Sequence, residues 1–559
     1  MRGSSPRMTK YEVAGENLMP LMSGGDAVVR SLIAHGISTI YCLPGVQSDH
    51  LFNAMFDAGD AIRVVHTRHE QAAAYMALGA ALATGRPAIY SVVPGPGFLN
   101  SSAALATAHS TGAKVLALIG QIPSRAIGKG LGFLHEIPDQ LGILRTLTKW
   151  AERVDRPEAA PGLVARAFHE LHSGRPRPVG LEVPPDMLGA RAEVELTGPK
   201  PPEPDAKLDE DAIAQAAALL AKAECPVIFV GGGALDAAGE VRALAERLGA
   251  PVVGFRRGKG VLDNRHPLSQ SLPGGHALWA KADVVLAVGT RLFLPLSGWG
   301  SDDKLKIIKI DIDPAEFARM RVPVMGLAGD AAATLGRLDA HLSHLTPSPQ
   351  RVERSRALKE RIAADFSALG VILDYLKAIR DVLPDDGVLI DELTQVGYAA
   401  RTAYEARSPR SYISSGYQGT LGWAVATALG AKHALGDTPV VALTGDGGFM
   451  FNVQELATAV RHCIPIVVIL FNDGAYGNVR NMQRKEHGNR VIGSDLANPD
   501  FVKLAESFGI GGYRVTSPEG LRKALEQALS KNEPALIEVP CGDMPDPWQF
   551  IDLPKVRGV

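Results

Sequence analysis

Short, continuously apolar segments that alternate with longer helical patterns restrict the fold of this 559-residue chain more than any other feature. The strand-like segments include Pro87–Val93, Pro226–Val230, Lys306–Ile312 and Val440–Thr444, and Gln71–Thr84 is one of the helical patterns. A strand that is apolar on both faces is covered on both faces, as parallel strands are when crossover helices pack against the sheet. The pattern therefore predicts α/β domains built on doubly wound parallel sheets.

Two polar, proline-rich stretches, Leu196–Lys207 and Ser343–Arg351, interrupt this alternation. Segments of that composition are extended linkers, and the length of the chain fits about three domains. We predict an N-terminal tail at 1–18, a first domain at 19–195, a middle Rossmann-like domain at 208–342, a third domain at 352–545 and a C-terminal tail at 546–559.

Composition excludes several kinds of partner. The chain carries 58 Lys and Arg against 60 Asp and Glu, a net charge of -2, which gives no electrostatic footprint for nucleic acid or an anionic membrane. Its four cysteines lie far apart without a CxxC pair, so we expect free thiols in a reducing compartment. No apolar run reaches the roughly 18 residues of a membrane span, and the first residues lack a signal-peptide pattern. We expect a cytoplasmic enzyme that acts on a small molecule.

The segment Gly445–Gly448, with the sequence GDGG, carries the strongest chemical signal. It directly follows the predicted strand Val440–Thr444 and precedes a helical pattern, so it lies at the carboxyl edge of a sheet, where ligands bind. Glycine N–H groups and a helix N-terminus bind phosphate oxygens there. Asp446 would repel a phosphate unless a cation lay between them, and Mg²⁺ is the hard cation that proteins most often share with phosphates.

A second acid is expected at the same edge. Asp473 follows Asp446 by 27 residues, which is enough for one helix and one strand of a βαβ unit. Such a unit returns the chain to the carboxyl end of the neighbouring strand. A lone GDG is often only a turn, but two acids at one edge after consecutive strands are a much more specific pattern.

This arrangement resembles the diphosphate motif of the thiamine diphosphate enzymes of the acetolactate synthase, pyruvate oxidase and benzoylformate decarboxylase type. The resemblance implies pyrimidine-binding, middle and diphosphate-binding domains, with Mg²⁺ bound by Asp446, Asp473 and the main-chain carbonyl of Ala475. Asp473 replaces the commoner asparagine, which keeps an oxygen ligand and adds a negative charge. Further cofactor contacts are implied at Gly445, Gly447, Gly448, Tyr476 and Gly477.

Two motifs of the first domain extend the resemblance. His69-Glu70-Gln71 is similar to the family's HEQ motif, which implies that the catalytic Glu70 hydrogen-bonds N1′ of the cofactor's aminopyrimidine. For a lone glutamate, the alternative is a solvated helix N-terminus. The segment Pro94–Asn100 resembles the SGPGxxN loop, which implies that Pro96 and Asn100 lie beside the pyrimidine ring. The alternative for its Pro/Gly alternation is a structural turn.

Two motifs of the third domain complete the implied cofactor site. Gly419–Gly422 resembles the GTMG segment, so Gly419 and Leu421 would contact the pyrimidine through main-chain atoms. Leu421 would also be the apolar wedge that bends the cofactor, and its alternative role is ordinary core. Thr394 and Gln395 match positions that touch the diphosphate. Because the family's glutamate and GDG motif come from different subunits, the resemblance implies an obligate homodimer, commonly a homotetramer.

The residues expected near the substrate match the family less well. Val46 occupies the position of the catalytic serine of benzoylformate decarboxylase, and Met482 that of a tryptophan of acetolactate synthases. His135 aligns with a glutamine near the thiazolium, which implies a catalytic role, with a hydrogen-bonded wall residue as the equal alternative. The guanidinium group of Arg480 either binds a substrate carboxylate through two hydrogen bonds or, as the somewhat better supported alternative, belongs to a surface arginine on a helix.

The middle domain contains glycine-rich segments, Gly231–Gly233 and Gly289–Arg291, which occur in family members with FAD, with a nucleotide and with neither. The short connection from His276 to Asp283 argues against FAD. We therefore expect thiamine diphosphate- and Mg²⁺-dependent cleavage or formation of a C–C bond on a 2-oxo acid or related α-dicarbonyl. An FAD-containing oxidase and acetolactate synthase proper are the alternatives. A non-catalytic homologue is less favoured because Glu70 and the GDG motif are retained.

Overall fold

The structure is a computed structural model that describes residues 19–199, 207–321 and 323–558. The predicted N-terminal tail and part of the first linker lie outside the described residues. Three six-stranded sheets are present, and the strand pairs within them are all parallel. Helices cover these sheets, so the predicted α/β fold with three doubly wound sheets is confirmed.

The first sheet has the strand order β3-β2-β4-β5-β7-β6, and β1 and β8 form a separate antiparallel pair. The strands are β1 (Leu21–Ser23), β2 (Thr39–Cys42), β3 (Arg63–His66), β4 (Ala88–Val92), β5 (Val115–Gly120), β6 (Trp150–Arg153), β7 (Val179–Val183) and β8 (Arg191–Glu193). The helices are α1 (Gly24–Ala34), α2 (Asp49–Ala58), α3 (Glu70–Thr84), α4 (Pro96–Thr111), α5 (Gln140–Leu147), α6 (Ala160–His172) and α7 (Pro185–Gly189).

The middle sheet has the order β11-β10-β9-β12-β13-β14. Its strands are β9 (Pro226–Val230), β10 (Val252–Gly254), β11 (Ser269–Gln270), β12 (Val284–Val288), β13 (Lys306–Asp311) and β14 (Met325–Ala328). Its helices are α8 (Glu210–Ala221), α9 (Ala238–Leu248), α10 (Leu272–Trp279) and α11 (Ala331–His341).

The third sheet has the order β16-β15-β17-β18-β20-β19. Its strands are β15 (Val388–Ile390), β16 (Tyr412–Ile413), β17 (Val440–Gly445), β18 (Val467–Asn472), β19 (Gly511–Arg514) and β20 (Ala535–Pro540). The helices are α12 (Pro349–Asp365), α13 (Val371–Val382), α14 (Gln395–Ala403), α15 (Trp423–Leu435), α16 (Asp446–Phe449), α17 (Leu456–Arg461), α18 (Gly477–Glu486), α19 (Phe501–Ser507) and α20 (Pro518–Lys531).

Prolines shift two boundaries from the sequence pattern. The apolar run that begins at Ile464 joins the sheet only at Val467, because Pro465 has no N–H to donate to a neighbouring strand. The second proline-rich stretch is not extended throughout, since α12 begins at Pro349. Proline is well suited to the first turn of a helix, where its missing N–H would have no partner.

Helices α3 and α15 join the first and third domains. Both are rich in alanine, and most of their residues are buried in one shared core. A Cβ added at Gly79 would overlap the main-chain oxygen of Thr427, and one added at Gly430 would overlap that of Met76. The two backbones therefore touch at two points, and this double contact fixes the position of α3 relative to α15.

The segment after β20 returns to the middle domain. Pro547–Phe550 forms a short 3₁₀ helix, and Arg557 donates to Asp302 and to the main-chain oxygens of Trp279 and Ala282. The residues predicted as a C-terminal tail thus bridge two domains up to Gly558. Across the described ranges, none of the helices combines the length and the apolar character that a membrane crossing requires.

Candidate active site

Asp446 and Asp473 lie at the same edge of the third sheet. Asp446 follows β17 and begins α16, and Asp473 follows β18, which pairs with β17. Asn498 Nδ2 donates to Asp446 Oδ2 at 2.6 Å and to Asn472 Oδ1 at 3.0 Å. Burial and the neighbouring Asp446 carboxylate raise the pKa of Asp473 to about 6. Two partly desolvated carboxylates that repel each other are a suitable environment for a divalent cation.

The two acids line a cleft with a volume of about 290 Å³. The sequence-predicted residues that it brings together are Thr394, Gln395, Leu421, Gly445, Asp446, Gly447, Gly448, Asp473, Ala475, Tyr476 and Gly477. Thr394 caps α14 by accepting the N–H of Gly397. Gln395 Oε1 is buried without a hydrogen-bond partner among the described residues. An amide oxygen only accepts hydrogen bonds, so the glycine N–H groups and the acid pair are the features that fit a metal-bound diphosphate.

The metal set expected here is small. In the ranges that the structure describes, no group of three or more His, Cys, Asp or Glu side chains is arranged to hold a metal ion. The predicted set differs from such a group, because it has two carboxylates and the main-chain carbonyl of Ala475. Hard cations also take main-chain oxygens as ligands, so the donor types fit Mg²⁺.

Glu392 also lines this cleft and was not predicted. Its carboxylate accepts the main-chain N–H of Gly422, and it accepts the hydroxyl of Thr444 at 2.6 Å. Complete burial raises the pKa of Glu392 to about 7. A Cβ at Gly448 would overlap the carboxylate, so only glycine fits there. Glu392 lies two residues after the end of β15, and the reasoning that placed Asp446 at a sheet edge would also have found it.

Glu70 and Asn100 meet on an exposed face of the first domain. Glu70 begins α3, and the side chain of His69 caps this helix by accepting the N–H of Gln71. Asn100 Nδ2 donates to Glu70 Oε2 at 3.1 Å, and Pro96 begins the helix that carries Asn100. The structure thus brings the two predicted motifs of the first domain together. No described residue before 200 lines the cleft that contains Asp446.

His135 lies close to this face in an unusual conformation. Its φ is 68°, and its main-chain oxygen occupies the space that a Cβ of Gly95 would need. The Nδ1 atom of His135 is buried and has no hydrogen-bond partner among the described residues. Leu134 beside it and Val46 are 62% and 64% exposed. His135 does not line the Asp446 cleft.

Arg480 is neither a surface arginine nor a free carboxylate receptor. Its side chain is only 13% exposed, and it lies within 3.7 Å of Asp473, 3.4 Å of Asp495 and 3.3 Å of Asp543. The guanidinium group is therefore already shared by three carboxylates, one of which belongs to the predicted metal site. The preference for a surface arginine was wrong, because the loops that carry Asp495 and Asp543 fold over α18.

A second cavity, of about 490 Å³, lies at the carboxyl edge of the middle sheet. Gly231–Gly233 follows β9 there, and the cationic residues that line the cavity are Lys114, Arg175, Arg256, Arg257, Arg291 and Arg410. Burial lowers the pKa of Arg257 to about 10, and Arg257 makes no ion pair with the described residues. A glycine loop facing unpaired guanidinium suits an anionic ligand.

Three parallel-sheet domains with paired acids on the third sheet define a thiamine diphosphate-binding protein, and comparison with known families agrees. The chain belongs to the thiamine pyrophosphate enzyme family. Residues 22–143 match the N-terminal TPP binding domain, residues 213–338 the central domain and residues 393–539 the C-terminal TPP binding domain. The resemblance inferred from the motifs is thereby confirmed.

Similar proteins span nearly the whole chain. A probable 2-ketoarginine decarboxylase of Pseudomonas aeruginosa is 34% identical over 93% of this chain and 94% of its own length. A probable acetolactate synthase large subunit of Methanocaldococcus jannaschii is 33% identical over 93% and 92%. An acetolactate synthase of Mycobacterium bovis is 32% identical over 95% and 90%. The relatives thus include a named decarboxylase and named acetolactate synthases.

Proposed function

We propose that this protein is a thiamine diphosphate- and Mg²⁺-dependent decarboxylase or carboligase that acts on a 2-oxo acid or a related α-dicarbonyl. The observation that carries the proposal is the pair of carboxylates, Asp446 and Asp473, at one edge of the third sheet. Burial and mutual repulsion raise the pKa of Asp473 to about 6, and a bound divalent cation would relieve this repulsion. Relatives with both activities support the two reaction types together.

Different residues of the cleft would bind the metal ion and the diphosphate. Asp446, Asp473 and the Ala475 carbonyl would hold Mg²⁺, while Thr394 and Gln395 would contact the diphosphate. When bound, thiamine diphosphate supplies a carbon centre that adds to the substrate carbonyl and stabilises the resulting negative charge. Leu421 would pack against the cofactor, and Glu392 would hold that segment in place through the N–H of Gly422.

Glu70 would hold a proton at N1′ of the cofactor's aminopyrimidine. The hydrogen bond from Asn100 orients its carboxylate for this role. His135, whose Nδ1 lacks a partner among the described residues, would face the reacting carbonyl from the same domain. Because no described residue before 200 lines the Asp446 cleft, a complete site would need Glu70 from one subunit and Asp446 from another.

The assembly that follows is a homodimer, with a homotetramer formed as a pair of dimers. Exposed apolar side chains support this assembly, since Leu99 adjoins Asn100 in the chain, Leu134 adjoins His135 and Phe451 is exposed beside Gly422. Contiguous apolar surface on a folded chain is usually covered by a partner. A second copy would cover both faces at once.

Calorimetry tests the proposal directly. Thiamine diphosphate should bind the full-length protein only with Mg²⁺, and Asp446→Ala should abolish this binding. Asp437→Ala is the matched control, because Asp437 is an exposed aspartate on the loop before β17 and its carboxylate makes no contact with the cleft. Binding that needs no divalent cation, or that survives Asp446→Ala, would refute the assigned site.

The reaction is best identified with a substrate panel. Pyruvate, glyoxylate, benzoylformate and 2-ketoarginine, each with and without an aldehyde acceptor, would separate lyase from transferase activity. 2-Ketoarginine belongs in the panel because it appears in the name of one relative. Release of CO₂ without a carboligation product would assign a decarboxylase.

An FAD-containing oxidase is the second candidate. The cavity with Gly231–Gly233 and Arg257 supports an anionic ligand of nucleotide type in the middle domain. The short connection between His276 and Asp283 argues against a flavin. A purified protein with the visible absorption band of bound flavin would favour the oxidase, and a colourless protein that retains a nucleotide would exclude it.

A further inference from the structure

Asn478 lies in the first turn of α18 and lines the same cleft as Asp446. Trp548 Nε1 donates a hydrogen bond to Asn478 Oδ1 at 2.7 Å. The indole N–H is a donor only, so this contact determines which end of the amide is the oxygen. The other end, Nδ2, is therefore a donor, and its one partner among the described residues is the weak acceptor Met482 Sδ at 3.9 Å.

Trp548 is itself held in place. Its ring lies 4.8 Å from the ring of Tyr398, which also lines the cleft and is 8% exposed. The main-chain N–H of Trp548 donates to Asp546 Oδ1 at 2.9 Å. With both its ring and its backbone fixed, the indole cannot follow a turning amide. The orientation of Asn478 is therefore set before any substrate arrives.

Among the described residues, Asn478 Nδ2 makes no hydrogen bond to the polar side chains that line the cleft. Leu421, Val479 and Met544 line the cleft with apolar surface. Arg480, the cation next along the helix, is already shared by three carboxylates. N–H donors without a strong acceptor lose hydrogen bonds to water when a ligand fills the cleft, and this costs free energy unless the ligand supplies an acceptor.

We propose that Asn478 binds substrate by donating from Nδ2 to an oxygen in the side chain of the 2-oxo acid, and that Trp548 is the positioning residue that keeps Nδ2 available. This inference rests on the proposed function and narrows its substrate class. A guanidinium or ammonium side chain has donors but no acceptor, so it would meet the Asn478 donors unfavourably. The site thus selects oxygen-bearing side chains over cationic ones.

The test compares two 2-oxo acids of similar length. 2-Oxoadipate ends in a carboxylate, and 2-ketoarginine ends in a guanidinium. Their dissociation constants are measured by calorimetry on the full-length protein, loaded with Mg²⁺ and a thiamine diphosphate analogue blocked at C2, so that no turnover occurs. The wild type should bind 2-oxoadipate at least about tenfold more tightly, as expected for a hydrogen bond to a charged group.

Asn478→Asp is the decisive variant. It keeps an oxygen that accepts from Trp548 and replaces both N–H donors with a second acceptor, so the preference between the two acids should reverse. An unchanged preference in Asn478→Asp would overturn the inference. A wild type that prefers 2-ketoarginine, or that does not bind 2-oxoadipate measurably, would overturn it as well.

Two further variants separate binding from a structural role. If Asn478 only anchored Trp548, Asn478→Ala would alter the preference between the two acids, and Asn478→Asp would leave this preference unchanged. Trp548→Phe keeps the ring but lets the amide turn, so the preference should narrow severalfold without a comparable loss of cofactor binding. Asn481→Ala is the control on the same helix, outside the cleft, and should leave the preference unchanged.

Failure of the proposed function would be seen separately. It would appear as thiamine diphosphate binding that is independent of Mg²⁺, or as bound cofactor that does not exchange its C2 proton. Neither measurement involves Asn478.

Discussion

The main-chain N–H of Gly422 donates to the buried carboxylate of Glu392, directly beside Leu421. The other carboxylate oxygen accepts from Thr444, at the end of the strand that leads to Asp446. One acid thus connects the segment expected to bend the cofactor with the strand expected to bind its metal. Burial raises the pKa of Glu392 to about 7, so its carboxyl group is protonated at mildly acidic pH.

Glu392→Gln should make stability less dependent on pH. The folded-state pKa of Glu392 lies above its unfolded value, so its contribution is fully present at low pH and is lost as the pH rises toward about 7. A glutamine can still accept from Gly422 and can donate to Thr444, but it does not titrate. Relative to that of the wild type, the free energy of unfolding of the variant should rise by up to about 3 kcal/mol between about pH 4 and pH 8.

Unfolding of the cofactor-free protein, followed at several pH values and one protein concentration, measures this difference. Glu392→Ala is the contrasting variant, because it leaves the N–H of Gly422 and the hydroxyl of Thr444 without an acceptor and should be less stable at every pH. Parallel pH profiles for the wild type and Glu392→Gln would contradict the raised pKa.

Glu70→Gln should retain cofactor binding and lose cofactor activation. The glutamine keeps the size of the side chain and its contact with Asn100, but it cannot hold a proton for the aminopyrimidine. We expect exchange of the C2 proton to slow by at least about 100-fold with little change in cofactor affinity. Hydrogen–deuterium exchange of the bound cofactor, followed by NMR, measures the rate, and a normal rate would remove Glu70 from its assigned role.

Mixing two inactive variants should restore function if subunits share a site. A dimer of one Glu70→Gln and one Asp446→Ala chain has one site with both native residues and one site with neither. After random reassortment, about a quarter of all sites should therefore exchange the C2 proton at the normal rate. A mixture that remains inactive, although the subunits demonstrably exchange, would place both residues in one chain's site.

Gly430→Ala should destabilise the contact between the first and third domains. The added methyl group would overlap the main-chain oxygen of Met76, and backbone atoms cannot move aside as a side chain can. We expect a loss of about 1–3 kcal/mol in the free energy of unfolding. Gly336→Ala, on α11 with no atom within 4 Å of the new Cβ, is the matched control and should be neutral or slightly stabilising.

The sequence was informative wherever local pattern determines position. The alternation of apolar and helical segments, with glycine-containing turns between them, placed Asp446 and Asp473 after consecutive parallel strands. Parallel pairing then leaves only one edge of the sheet where both can lie. Glu70 and Asn100 were grouped only through their resemblance to two family motifs, and the structure places both after strands of one sheet. These placements depend on short segments and a right-handed crossover, which local composition encodes.

The contacts that sequence reasoning missed depend on long returns of the chain. Asn498 reaches Asp446 from a polar loop, and Asp495 and Asp543 reach Arg480 from two separate loops. Trp548 reaches Asn478 from a segment predicted as a tail. Loop paths are set by the sum of many weak contacts, and no periodic pattern records where a loop ends.

The double contact of α3 and α15 also determines which parts of the protein are able to move. Main-chain atoms touch at Gly79 and again at Gly430, and no change of rotamer absorbs a sliding motion between two backbones. We therefore expect the first and third sheets of one chain to move together. Motion that admits a cofactor is then expected in the loops after β17 and β18, and the slowest amide hydrogen exchange in the middle of the two helices.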